Sequence, residues 1–392
     1  MVGMRPRPEA TGVTESAMVQ IATVAESMPG SVKLCYGESD MPTPEFICRA
    51  ATEAMRAGHT FYTHTGGYMA LREAIAAKVF ELHQVEYRGS EVMSTVGATA
   101  AIFTAIRAFV GPGDNAIVIS PAYAIFVNAV TMCGGEPRPV ALEVDGTRFR
   151  LDVDRVRRAI DANTRMIIVN SPSNPTGWMI TVEEQRALCE LAEEHDLVIL
   201  SDEVYERLVY DIPLAPSFAR VMPGKDRVIV VNSFSKTYNM TGWRLGWAQA
   251  SEPIVRTMYK AAEFITSNPA AMVQQAGITA LTDGEPYLRE LRQHYAARRE
   301  QVKRALTSIP GVTLTEPDGA FYAFFTIDGL RDSTAFTAQL VRETGVALTP
   351  GVAFGDAGEG YVRLCFAASE QTVADGLQRL ARFMAASPPR KP

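Results

Sequence analysis

Residues 228–247 read VIVVNSFSKTYNMTGWRLGW, and this stretch decides the fold. Its opening run, VIVV, is apolar without alternation, the pattern of a strand buried on both faces in a mostly parallel sheet covered by helices. A Ser-rich turn follows, and Lys236 stands within it; eight residues further on comes Arg244, flanked by Gly242 and Gly246. A lysine at a strand end is placed to form a Schiff base with an aldehyde cofactor. The hydroxyls of Ser233 and Ser235, together with Arg244, suit a phosphate, because guanidinium geometry matches phosphate oxygens. A solvated lysine on a polar loop is the plainer reading of Ser-x-Ser-Lys by itself. The whole string is far rarer than that tetrapeptide.

Working outward, similar short apolar runs recur: MSTV (93–96), AIVIS (116–120), MIIVN (166–170) and LVILSD (197–202). Each lies near a helical segment such as VEEQRALCELAEEH (182–195). The alternation predicts an α/β large domain over 46–285, with the loops that carry chemistry at the carboxyl ends of the strands. After about Asp283 the pattern changes. A charged helical stretch, YLRELRQHYAARREQVKRAL (287–306), leads into strands and turns, VTLTEPDGAFYAFFTI (312–327) and YVRLCF (361–366). That predicts a smaller α+β domain, discontinuous in sequence, formed by 1–45 and 286–392. Thr43-Pro44-Glu45 reads as an N-cap and the opening of a helix that Gly58 closes. The tail SPPRKP (387–392) reads as loose.

Composition narrows the function classes. Of the 392 residues 47% are hydrophobic and 21% charged, an ordinary soluble balance, and the net charge of −6 gives no electrostatic reason to expect nucleic acid or an anionic membrane. The five cysteines contain no CxxC pair and the five histidines no HExxH spacing, which favours reduced thiols in a cytoplasmic enzyme over a disulfide framework or metal site. The first twenty residues carry no continuous apolar core of a signal peptide. The uncharged stretch Asn115–Gly135 contains Pro121 and ends in Gly-Gly, so it reads as a buried strand, a turn and a covered helix rather than a membrane span.

Several further motifs carry candidate chemistry. NSPSNPTG (170–177) is a turn by its Asn, Pro and Gly content, with Asn174 at its centre. LVILSDEVY (197–205) is a buried strand ending in Asp202, with Tyr205 three residues on; an acid there serves equally as a helix N-cap. VGATAAIF (96–103) places Gly97, Ala98 and Thr99 at a helix start, where small residues let amide groups approach an anion. Tyr123 in SPAYAIF follows the next strand; Arg363 lies within YVRLCF, Gly37 within LCYGESD (34–40) and Tyr62 within FYTHTGG (61–67).

Taken in chain order, the lysine string and these motifs resemble the class I/II aminotransferases, fold-type I enzymes that use pyridoxal 5′-phosphate, and the aspartate aminotransferases in particular. The resemblance spans residues 34 to 366. It implies that Lys236 links the cofactor and shuttles the substrate proton, and that Asp202 holds the pyridine nitrogen protonated. Asn174 and Tyr205 are then partners of the phenolic oxygen, and Tyr123 stacks on the ring. Gly97, Ala98, Thr99, Ser233, Ser235 and Arg244 bind the phosphate. Arg363, with Gly37 and Asn174, receives the substrate carboxylate. Tyr62 reaches the phosphate in the neighbouring subunit, which implies a homodimer with shared sites. One departure concerns substrate preference: Gly37-Glu38-Ser39-Asp40 carries serine where family members often have proline.

The reaction expected is transfer of an amino group from an L-amino acid to a 2-oxo acid such as 2-oxoglutarate. A β-lyase cleaving carbon–sulfur bonds, or an enzyme similar to aminocyclopropane-carboxylate synthase, shares nearly every motif and remains the alternative. A nucleotide-binding dehydrogenase or P-loop protein lacks its glycine signature here. A silent cofactor-binding domain of a regulator lacks an attached DNA-binding segment or strongly basic face.

Overall fold

Seven strands build the central sheet of the computed structural model, which describes residues 7–13, 17–222 and 224–386. They are β1 (Val92–Thr95), β2 (Asn115–Ser120), β3 (Glu136–Ala141), β4 (Thr164–Asn170), β5 (Val198–Asp202), β6 (Val228–Ser233) and β7 (Gly246–Gln249). Their order across the sheet is β1-β7-β6-β5-β4-β2-β3. Only β7 is reversed, pairing antiparallel with β6 and β1, while the remaining pairs are parallel. The apolar runs read from the sequence all appear as strands. The tail 387–392 lies outside the described residues.

Burial on both faces explains the missing alternation. Ile117, Ile119, Ile167, Val169, Ile199, Val228 and Val230 join one apolar cluster. Their neighbours Ala116, Val118, Met166, Ile168, Leu200, Ile229 and Val231 join another on the opposite face, as a side-chain period of two demands. Helix Gly97–Phe109 covers that second face with Ala101, Ile102, Ala105 and Ile106. Asn115–Gly135 resolves into β2, a turn and helix Ile125–Met132. Among the described residues no helix is long and apolar enough to cross a membrane.

Two strands of the central sheet escaped the sequence reading. β3 contains Pro137 and Pro139, which discourage a strand assignment; it lies at the sheet edge, where a missing N–H is tolerated. β7 is short and begins at Gly246, inside the lysine string. The proposed cap at Thr43 is also corrected. The helix runs Glu45–Arg56 with Pro44 at its cap and no side-chain capping bond. Thr43 Oγ1 instead donates to the Asn239 carbonyl and accepts from Trp243 Nε1, tying this segment to the chain beyond Lys236. Gly58 does follow the helix end, with φ +87°.

Beyond helix Glu285–Thr307 a second, antiparallel sheet forms from β8 (Val312–Thr315), β9 (Tyr322–Ile327), β10 (Thr349–Pro350) and β11 (Tyr361–Cys365), in the order β8-β9-β11-β10. Its core gathers Tyr295, Phe321, Phe325, Phe366 and Leu377. Val32 and Leu34 from the N-terminal segment join the same cluster, and Val32–Lys33 pairs with Val346–Ala347. Val204, Tyr205 and Leu208, just past the end of β5, also belong to it. The carboxyl end of β5 therefore abuts the second core, and the candidate site lies at that junction.

Candidate active site

β6 ends at Ser233, whose hydroxyl caps the single helical turn Phe234–Thr237 by accepting from the Ser235 amide. That turn delivers Lys236 into a cavity of about 220 Å³. Lys236 Nζ donates to the Gly37 carbonyl at 2.7 Å. Burial disfavours the ammonium and lowers its pKa to about 8. A neutral amine is thus accessible near physiological pH.

On one side of the lysine is a cradle of donors. Helix Gly97–Phe109 points its N-terminus at the cavity, and Ala98 and Thr99 line it. The Ser233 and Ser235 hydroxyls lie 2.9 Å apart on the facing wall. Arg244, held at φ +54° with Nη1 donating to the Thr241 carbonyl, crosses toward the helix start. Gly97 makes the approach possible. Its φ is +75°, and a Cβ there would lie 2.5 Å from Arg244 Nη2. Gly246 plays the same part for β7, where a Cβ would lie 2.7 Å from the Ala98 amide nitrogen. Helix amides, two hydroxyls and a guanidinium around a glycine-lined hollow are the donor set of a phosphate site.

On the other side stands Asp202 at the end of β5. It is buried and accepts one hydrogen bond, from the Val204 amide at 3.2 Å. Burial is the main cause that raises its pKa to about 7. The chain turns after it rather than entering a helix, so helix capping is not its task. A carboxylate so desolvated calls for a cationic or N–H partner in the cavity, as a protonated pyridine nitrogen supplies. The cradle and this acid together fit pyridoxal phosphate. Asn170 fixes the neighbourhood, its Nδ2 donating to the Asp202 carbonyl and its Oδ1 accepting the Asn174 amide.

The third wall comes from the second sheet. Arg363 on β11 is 1% exposed. Its Nη1 donates to Asn174 Oδ1 at 2.8 Å, and its Nη2 to Thr349 Oγ1 at 3.1 Å and to the Cys35 carbonyl. The guanidinium also lies 4.6 Å from the Tyr322 ring centre and 4.9 Å from that of Phe354. Tyr322 Oη meets Tyr205 Oη at 2.7 Å, and burial raises both phenols. Gly37 is the close neighbour of this pair, since a Cβ there would fall 2.3 Å from Tyr322 Oη.

Of the residues singled out in the sequence, Gly37, Ala98, Thr99, Tyr123, Asn174, Asp202, Tyr205, Ser233, Ser235, Lys236, Arg244 and Arg363 line one cavity. Gly97 supports it from beneath Arg244. Tyr62 does not reach the cavity of its own chain and is 92% exposed. Met18, Asn170 and Tyr322 line the cavity without having been singled out. Asn170 opens the quoted NSPSNPTG run and was within reach of the motif. Tyr322 and Met18 carried no local signal.

The sequence profile described as aminotransferase class I and II matches residues 29–380. The chain belongs to this family. It is 35% identical to the aspartate aminotransferase of Geobacillus stearothermophilus, over 98% of this chain and 100% of that one. Among solved structures it superposes on the aspartate aminotransferase of Thermus thermophilus with maleate at a TM-score of 0.90, with 34% identity over 97% of this chain and 100% of the other. The aromatic aminotransferase of Pyrococcus horikoshii gives 0.87, with 35% identity over 93% and 99%. The protein is an aspartate-aminotransferase-like enzyme of fold type I, and the cofactor of the family is pyridoxal 5′-phosphate.

Proposed function

We propose that this aminotransferase moves the α-amino group of an L-amino acid to a 2-oxo acid such as 2-oxoglutarate, with Lys236 as its base and cofactor-linking residue. The observation that carries this reading is the meeting of three groups in one cavity: a desolvated amine, a desolvated acid and a buried guanidinium. When bound, pyridoxal phosphate supplies an electron sink for the carbanion left as substrate Cα loses its proton.

Each residue has a definable part. Lys236 Nζ, with its pKa lowered to about 8 by burial, takes the proton from substrate Cα and gives it back later in the cycle. The Gly37 carbonyl orients Nζ beforehand. Asp202 keeps a proton on the pyridine nitrogen, an arrangement favoured by its burial. Tyr205, paired with Tyr322, and Asn174 present polar atoms to the phenolic oxygen. Gly97, Ala98, Thr99, Ser233, Ser235 and Arg244 hold the phosphate, and Tyr123 covers the ring. Arg363 offers its planar fork to the α-carboxylate of donor and acceptor alike.

The enzyme works as a cytoplasmic homodimer with shared sites. Phe61 and Tyr62 stand 80% and 92% exposed on a loop that Gln274 pins, through the Tyr68 amide and Thr63 Oγ1. Tyr62 is thereby held outward, toward a neighbouring subunit's phosphate. The large domain comprises 46–285 and the small domain 1–45 with 286–392, so the site lies where they meet. A half-reaction tests the reaction type. An amino acid added without oxo acid should convert the yellow enzyme stoichiometrically to the colourless pyridoxamine form, and 2-oxoglutarate or another oxo acid should restore the colour. Continuous pyruvate and ammonia from a cysteine-type substrate, with no pyridoxamine form under any donor, would assign a lyase instead.

A further inference from the structure

The hydrogen bonds of the site continue through the sheet. Alternation along β5 and β6 turns Asp202 and Ser233 to one face and Ser201 and Asn232 to the other. On that hidden face His83, the last residue of helix Met69–His83, meets Glu206 Oε2 through Nε2 at 2.8 Å. The other carboxylate oxygen of Glu206 accepts from Asn232 Nδ2 at 2.7 Å. Asn232 Oδ1 then accepts the Ser233 amide at 2.8 Å. From there the chain of contacts passes to the Ser233 and Ser235 hydroxyls, one residue short of Lys236. All five residues are buried, so water is not at hand to replace a lost partner.

The same carboxylate belongs to a second piece of the site. Glu206 follows Tyr205 directly, and its amide closes the turn onto the Glu203 carbonyl at 2.9 Å. Glu203 and Arg220 also face the pair. Glu203 is engaged separately, by Ser201 Oγ and the Phe218 amide. A staple needed only for stability has no reason to end at the cavity hydroxyls. From Glu206 to the Ser233 amide each link has a defined donor and acceptor. Without Glu206 the Asn232 amide is free to rotate, and the Ser233 N–H loses the acceptor that sets the strand end.

We propose that His83 and Glu206 are positioning residues: a buried relay, His83–Glu206–Asn232, sets the Ser233–Lys236 turn and the Tyr205 turn from behind the sheet. The inference rests on the reading above that these turns hold pyridoxal phosphate. The test measures cofactor affinity by titrating pyridoxal phosphate into apoenzyme, and the pH midpoint of the visible absorbance of the loaded enzyme, both well below the melting temperature. Glu206→Ala should weaken cofactor binding by about tenfold, one lost charge-assisted bond, and move the absorbance midpoint by about half a pH unit or more. Glu206→Gln, whose amide can still accept from Asn232 and donate to a neutral His83, should return to within about threefold of wild type. If Glu206→Ala does not fold, His83→Phe removes the outermost link alone and should weaken binding by about threefold. Folded variants with wild-type affinity and midpoint, whatever their melting temperature, would overturn the relay. A wild-type apoenzyme that develops no Lys236-dependent absorbance would instead sink the reading of the site on which it rests.

Discussion

Replacing Asp202 with asparagine separates what the acid costs the fold from what it gives the chemistry. In the cofactor-free protein, burial lifts the Asp202 pKa from 3.8 to about 7. The folded value lies above the unfolded one, so the folded chain keeps a proton that the unfolded chain releases. Stability from this group is full below about pH 4 and drains away as the pH climbs through about 7. At about 1.4 kcal/mol per pH unit the loss reaches about 4 kcal/mol by pH 8, of which roughly 3 kcal/mol falls between pH 5 and 8. Asparagine does not titrate. Glu203, also raised by burial to about 7, titrates in both proteins and cancels to first order. Apo Asp202→Asn should therefore melt close to wild type near pH 4 and several degrees above it at pH 8. With cofactor bound the balance reverses, because a protonated ring nitrogen offsets the desolvation of the carboxylate. Proton abstraction in the variant should then slow by about two or more orders of magnitude. The assays are thermal melts of apo and loaded protein at both pH values, and stopped-flow single turnovers. An apo variant less stable than wild type at pH 8, or an unchanged single-turnover rate, would refute the reasoning.

Two further outcomes are expected. Borohydride should fix the cofactor onto Lys236, and Lys236→Ala should keep pyridoxal phosphate non-covalently without turnover; peptide mapping that finds the adduct on another lysine would reassign the site. Arg363→Lys keeps the charge but gives up one prong of the fork, about 1.5–3 kcal/mol and hence roughly 10- to 150-fold weaker binding of every amino and oxo acid tried, with cofactor content intact. Normal apparent affinity for several substrates would leave Arg363 a purely structural role.

Much of the site was legible because its chemistry is carried by short contiguous strings. The lysine, its two serines and Arg244 lie within twelve residues, from Ser233 to Arg244. Asp202 and Tyr205 share one strand end, and Gly97 to Thr99 open one helix. Where a motif was read its residues line or support the cavity, except FYTHTGG, whose Tyr62 stands exposed away from it. Misreadings arose where local preference met a tertiary demand. Thr43 looks like a cap, yet its hydroxyl serves Asn239 and Trp243, nearly two hundred residues away in sequence. Prolines argue against a strand at Glu136–Ala141, yet an edge position removes the objection.

The sequence by itself determined five of the seven central strands and the lysine turn, because these follow from side-chain chemistry and a local period; the parts given to its other motifs came with the family resemblance. Tertiary structure alone decided which distant residues complete them. Tyr322 joins Tyr205 across 117 positions, and the Gly37 carbonyl receives Lys236 across 199. Arg363 faces Asn174 because the two sheets pack against each other, and His83 reaches Asn232 through Glu206 behind the central sheet. Such contacts depend on strand order, register and the packing of two cores. Those are properties of the whole buried surface, and no local stretch of the chain encodes them.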